Sequence, residues 1–188
     1  MMRKILGFLL APVLAGCLTS TPPEVAHWVV DYDGRVEAAK TAKYGVARLT
    51  QVQVRAPYNR DDLVVMCADG TVAFDPCNSF AAAPPQLVKW VAFDALSASG
   101  LFDRVVGSSS GARTPVSVEV VLNRLALDCR QEGERIAVAA ALVRILQDGA
   151  VVAVAKGAGT ADAKAGDYGK AFSSAISESI NAALKQLR

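Results

Sequence analysis

Leu14-Ala15-Gly16-Cys17 sets a cysteine directly behind a branched residue and two small ones. Small residues let an extended backbone enter a peptidase site, and the cysteine thiol is then the group that accepts diacylglycerol through a thioether. The residues before it suit that chemistry. Arg3 and Lys4 give a positive start, and Ile5 to Leu14 is an uncharged apolar run. That run is shorter than the ~20 residues a membrane span needs, so it reads as a secretory signal peptide. Cys17 is therefore the expected lipidation site, residues 1–16 the signal peptide and 17–25 a lipidated tether. Each buried CH₂ adds about 0.8 kcal/mol of membrane affinity and one chain anchors only marginally, but a bacterial lipoprotein carries three. Leu18, where an aspartate would retain the protein in the inner membrane, favours the outer membrane.

The other chemistry-bearing residues are sparse. Cys67, Cys77 and Cys129 remain once Cys17 is lipidated. An exported compartment permits disulfides, and three thiols allow one bond. Proximity in sequence favours Cys67–Cys77, with Cys129 as the alternative partner, and three free thiols remain open. Cys67 also alternates with apolar neighbours and suits a core position. His27 is the one histidine, beside Trp28 near the tether. No HExxH, CxxC or carboxylate–histidine cluster offers metal ligands, and no phosphate-binding loop is present. Ser108–Ser110 and Ser173-Ser174 lack the nucleophile-elbow pattern and a second histidine to act as base. Asp61-Asp62 sits in a turn-rich stretch, as solvated carboxylates do. Gly157-Ala158-Gly159 reads as the frayed end of a strand. The expectation is a protein without catalytic residues, cofactor or metal.

Hydrophobic periodicity predicts what positions these residues. Strands are expected over 26–32, 46–54, 63–66, 71–74, 101–106, 116–127, 135–146 and 150–158, from apolar alternation bounded by turn signals. Asp69-Gly70 and Asp148-Gly149 are hairpin turns. Residues 35–43 read as weakly helical or irregular, and 108–111 as a flexible loop. Val116, Val118, Val120 and Leu122 share one parity and Leu125 and Leu127 the other; Ile136, Val138 and Leu142 likewise give way to Val143 and Ile145. Each switch predicts a bulge or a strong twist.

Two helices are expected. Pro84-Pro85 opens the first, which runs to about Ser99 and stops at Gly100. The second runs from about Asp167 to Leu187, with Tyr168, Phe172, Ala175, Ile176, Ser179, Ala183, Leu184 and Leu187 along one side. The fold class is α+β, a mainly antiparallel sheet with two principal helices packed on one face, forming a single domain over 26–188. Leu87, Val88, Trp90, Val91, Phe93, Ala95 and Leu96 cover most of the first helix, which predicts deep burial. The alternative is that one flank meets a partner or a lipid tail, with Phe80, Trp90, Phe93 and Phe102 as the candidate contacts.

Composition agrees. Of 188 residues 52% are apolar, ample for a core, and the formal charge is +2. Loss of Arg3 and Lys4 with the leader would leave basic and acidic residues equal in number, with no clustered basic face for nucleic acid.

The order of these segments resembles the ABC-type transport auxiliary lipoproteins, the paraquat-inducible protein C-like group. The resemblance covers nearly all of the chain after the lipidated cysteine. It rests on the early strand His27-Trp28-Val29-Val30-Asp31, on Val52 to Val64 with its Pro57-Tyr58 turn and Arg60-Asp61-Asp62-Leu63-Val64, on Phe80-Ala81-Ala82-Ala83-Pro84-Pro85, on Gly100-Leu101-Phe102-Asp103-Arg104-Val105, and on the final hairpin and helix. Phe80 stands where the family has tryptophan. Cys67 and Cys77 lie outside the family pattern, so a disulfide would be particular to this chain. The resemblance implies an outer-membrane lipoprotein on the periplasmic face. It would be an auxiliary, docking component of an MCE-type ABC system for intermembrane lipid transport, with a periplasmic MCE-type protein as partner and a homo-oligomer in some members. Two other roles compete: a carrier holding a lipid or small apolar ligand between helix and sheet, and an outer-membrane or cell-wall assembly lipoprotein.

Overall fold

The computed structural model describes residues 24–34, 36–164 and 166–188. Cys17, the signal peptide and most of the tether lie outside the described residues. The elements are β1 (Ala26–Trp28), β2 (Tyr44–Val54), β3 (Asp62–Met66), β4 (Val72–Phe80), α1 (Pro84–Ala98), β5 (Phe102–Val106), β6 (Val116–Asp128), β7 (Ile136–Gln147), β8 (Ala150–Asp162) and α2 (Tyr168–Lys185). The eight described strands form one mixed sheet. The class is α+β as expected. The long β6–β7–β8 meander is antiparallel, as is β3–β4, while β1–β4, β2–β5, β2–β6 and β3–β6 pair in parallel.

β6 organises the sheet. β7 takes one of its edges along the whole length. The other edge is shared end to end: β2 pairs with Val116 to Leu122, and β3 with Leu127 and Asp128. Between them the chain leaves the sheet through Arg55 to Asp61, with a cis Ala56–Pro57 bond. β5 then extends the sheet beyond β2, and β4 and β1 extend it beyond β3.

The parity switch in β6 is a bulge: its register slips between Leu122 and Arg124 opposite Ala141 and Ala140. Val116, Val118, Val120 and Leu122 on one side of it, and Leu125 and Leu127 on the other, thereby face one core. β7 does not switch. Its core face is Ala137, Ala139, Ala141, Val143 and Ile145 in unbroken alternation, while Val138 belongs to a small apolar cluster on the opposite face with Val64 and Ala126. The large residues at Ile136, Val138 and Leu142 mislead because the core face carries alanine in that half.

The reason for the alanines is the closeness of α2, which packs on β7 and β8. A Cβ on Gly157 would stand 2.6 Å from the Ala183 amide nitrogen and nearer still to the Ser179 carbonyl; one on Gly159 would stand 2.7 Å from the Ser179 nitrogen and nearer to the Ala175 carbonyl. Gly157-Ala158-Gly159 is therefore not a frayed end. It lies inside the ladder, where the helix backbone rides on the strand, and β8 runs on to Asp162.

Both helices cover this one face. Leu87, Val88, Val91, Ala92, Ala95 and Leu96 of α1 and the expected line of α2 from Tyr168 to Leu187 are buried in one continuous core. Phe172 is fully buried and meets Phe80 edge to face, with centroids 5.2 Å apart. Each such side chain contributes about 1.5–3 kcal/mol over remaining exposed. Gly100 ends α1 with φ +68°, and a Cβ there would stand 2.6 Å from the Ala39 carbonyl oxygen. Residues 36–43 are irregular and held to this exit: the Ala39 amide donates to Ser99 O at 2.8 Å, and those of Lys43 and Tyr44 to Leu101 O. β1 ends at Trp28, short of the expected Tyr32. The following residues leave the sheet to bind α2, with the Asp31 amide donating to Ser173 Oγ at 2.9 Å.

Candidate docking surface

The side chains singled out as contacts on or near α1 are separated by the fold. Phe80 is 4% exposed on Phe172, and Phe102 is 6% exposed, stacked on Tyr44 with centroids 5.6 Å apart. Phe93 is partly buried against the core. These three serve the interior. Trp90 is different: it is 49% exposed, on a helix whose other large apolar residues are turned inward.

Trp90 stands beside a strand edge. β5 pairs with β2 only from Tyr44 to Arg48. Beyond Arg48 that edge of β2 has no strand partner among the described residues. Leu49, Thr50, Gln51 and Val52 of β2 and Pro85, Gln86, Lys89 and Trp90 of α1 line an open groove of about 500 Å³. β2 is bulged here, its register slipping between Leu49 and Gln51. Thr50 Oγ1 donates to Val118 O at 3.1 Å, which holds the bulge against β6.

The rim of the groove is braced. Arg48 donates from its guanidinium to the carbonyls of Ser108, Ser110 (2.6 Å) and Ala112. Lys89 Nζ reaches Ser108 Oγ at 3.1 Å. The 108–112 segment is thus held beside Arg48 and Lys89 by these two cations. An apolar indole, one unpaired backbone edge and a fixed basic rim can receive an extended segment, with backbone bonds giving affinity and the indole an anchor.

A second polar cluster lies at the other end of the sheet. Trp28 Nε1 donates to Asn78 Oδ1 at 2.9 Å, Asn78 Nδ2 to Asp75 Oδ2 at 2.9 Å, and the Trp28 ring meets Tyr168 edge-on at 5.6 Å. Arg135 donates to the Tyr168 hydroxyl. This network ties β1 and β4 to the start of α2. Cys67, Cys77 and Cys129 are half-buried and free. Burial pushes the Cys129 thiol up. His27 is exposed on β1. Among the described residues, no three His, Cys, Asp or Glu side chains converge on a metal position, and no helix is long and apolar enough to cross a membrane.

Sequence periodicity could not separate Trp90 from its neighbours, because α1 is apolar almost all round. A signal was present in Lys89, which marks the solvent side next to it.

No family model matches the chain, and no curated protein matches it. Solved structures share its fold. Protein XCC0632 from Xanthomonas campestris, assigned to family DUF330, superposes with a TM-score of 0.62 at 12% identity, over 87% of this chain and 91% of its own. An uncharacterized protein superposes with a TM-score of 0.50 at 11% identity, over 85% of this chain and 96% of its own. The likeness is one of fold, and it spans the helices and the sheet together.

Proposed function

We propose that this chain is a membrane-tethered, non-catalytic docking component of an envelope lipid transporter. In this reading lipid on Cys17 holds it on the periplasmic face of the outer membrane, and the domain engages the periplasmic MCE-type protein of an ABC transport system. The tether rests on the Leu14-Ala15-Gly16-Cys17 pattern, and the partner class on the resemblance in segment order from His27 to the last helix.

The observation that carries docking is Trp90. A half-exposed tryptophan on a buried helix, beside an unpaired strand edge, is an anchor placed for a protein surface. The carrier reading is weaker. It needs a void between helix and sheet, and there the interior is filled by Leu87, Val91, Leu96, Phe172, Ile176 and Ile180, each at most 2% exposed. At Gly157 and Gly159 the backbones of β8 and α2 are in direct contact.

The test is recovery of the cognate MCE-type protein on affinity-tagged, full-length protein from cells. Trp90→Ala should lower that recovery about tenfold or more, as expected for an interface hot spot, while the melting temperature stays within error. Equal recovery with wild type and variant would show that the partner docks elsewhere than this groove.

A further inference from the structure

Two of the three described thiols are brought together by the sheet. β3 runs parallel to β6 with Val65 opposite Leu127 and Met66 opposite Asp128. The Cys129 amide donates to the Met66 carbonyl at 3.0 Å, a bond that closes the Met66–Asp128 pair, so Cys67 and Cys129 are the next residues along the two adjacent strands, at the point where β3 turns back toward Thr71. Residues two apart on a strand share a face. Cys67 and Cys129 therefore emerge on the side of Val65 and Leu127, and Cys129 packs against the same core. Neighbouring strands lie about 4.8 Å apart, inside the ~4.4–6.8 Å between the Cα atoms of disulfide-bonded cysteines. Cys67 also acts electrostatically on the Cys129 thiol.

Cys77 is placed elsewhere. It falls between Phe74, opposite Val64, and Ser79, opposite Asp62, where the β3–β4 register slips. Its amide is held by Asp75 Oδ1 at 2.9 Å. That stretch faces β3 at least three residues before Cys67, roughly 10 Å away at about 3.3 Å per residue. The pairing that proximity in sequence favours is thus the one the strand register holds apart.

We infer that Cys67 and Cys129 are an oxidation site: a disulfide oxidant joins them in a clasp between β3 and β6 and leaves Cys77 as a single thiol. One thiolate of the pair attacks the oxidant's disulfide, forming a mixed disulfide and releasing one thiol. The other thiolate displaces the second thiol and closes the Cys67 Sγ–Cys129 Sγ bond. Two electrons and two protons leave the cysteines and appear in the two reduced thiols of the oxidant. Closure quickens as pH rises, because the thiolate is the attacking form.

The clasp sits at a joint. β1 and β4 reach the rest of the sheet through β3, and β3 meets β6 through two register pairs. β1 is also the first described strand of the chain. This inference is independent of the docking reading.

The test uses the full-length protein, reduced and then exposed to oxidised glutathione, followed by alkylation and non-reducing peptide mapping. A linked peptide pair containing Cys67 and Cys129, with Cys77 alkylated, is expected. Cys17→Ser combined with Cys77→Ser leaves only the pair, and its titratable thiols should fall from two to none while it stays monomeric and its melting temperature rises. A Cys67–Cys77 peptide, three alkylated thiols after oxidation, or a bond only between two chains would overturn the proposal.

Discussion

At the residue scale the tightest constraint is the missing side chain at Gly157 and Gly159. Helix α2 lies so close to β8 that a single methyl there meets helix backbone, which has no flexible end to give way. Gly159→Ala should destabilise the fold by about 1–3 kcal/mol, the usual range for overpacking, and Gly159→Val by more, read from urea unfolding midpoints. This constraint was hidden in the sequence: a glycine in a strand reads equally as a weak end or as a close approach, and only the position of the helix decides. Trp90 was hidden for the opposite reason, since its neighbours at 87, 88 and 91 are as apolar as it is. A charged residue makes a smaller prediction. Asp128 is bound by Arg130 at 2.6 Å, whose hydrogen bonds hold its carboxyl below the usual range. The stabilisation is fully present above the ordinary carboxylate pKa and is lost as pH falls through the depressed folded value. With Arg130 half-exposed the contribution is small. Asp128→Asn should be slightly less stable than wild type at neutral pH, and the gap should close in acid, read from urea unfolding midpoints.

At the element scale the β6 bulge lets one strand serve a single core. The parity change after Leu122 was legible, because valines at 116, 118 and 120 and leucines at 125 and 127 cannot share a face on a regular strand. The extra residue is Asn123, which has no register partner on β7. Without it Leu122, Arg124 and Leu125 alternate in, out, in. Deletion of Asn123 should therefore keep the fold at a cost of order 1 kcal/mol. Deletion of Glu119 in the regular half should abolish it, because either Val116 and Val118 or Val120 and Leu122 must then turn to the wrong face. Thermal unfolding followed by circular dichroism distinguishes the two. β7 shows no switch because alanines form the buried row in its first half, while the larger Val138 lies on the opposite face. Turn chemistry carried more information. Asp148-Gly149 takes positive φ at both residues, 50° and 83°, as its type of hairpin requires. At Asp69-Gly70 only the glycine does, and the Asp69 carboxylate instead accepts bonds from Thr71.

At the scale of the whole molecule the described residues form a filled two-layer domain, one sheet with both helices on one face. The order of strands and helices, the two-proline start of α1 and the buried line of α2 were all readable from periodicity. The parallel pairings were not, since β2, β3 and β5 reach their partners through chain reversals that no local pattern announces. Those pairings shape the groove, because the β2–β5 pairing ends at Arg48 opposite Val106 and leaves the rest of the β2 edge without a strand partner among the described residues, beside Trp90. The proposed docking role requires that this groove engage a transporter protein while the interior stays closed. The direct measurement is recovery of the cognate MCE-type protein from cells on tagged wild type and on Trp90→Ala of equal abundance and melting temperature. Strong recovery with wild type and a loss of about tenfold with the variant is the predicted result. Recovery unchanged by the substitution, or absent from both, would contradict it.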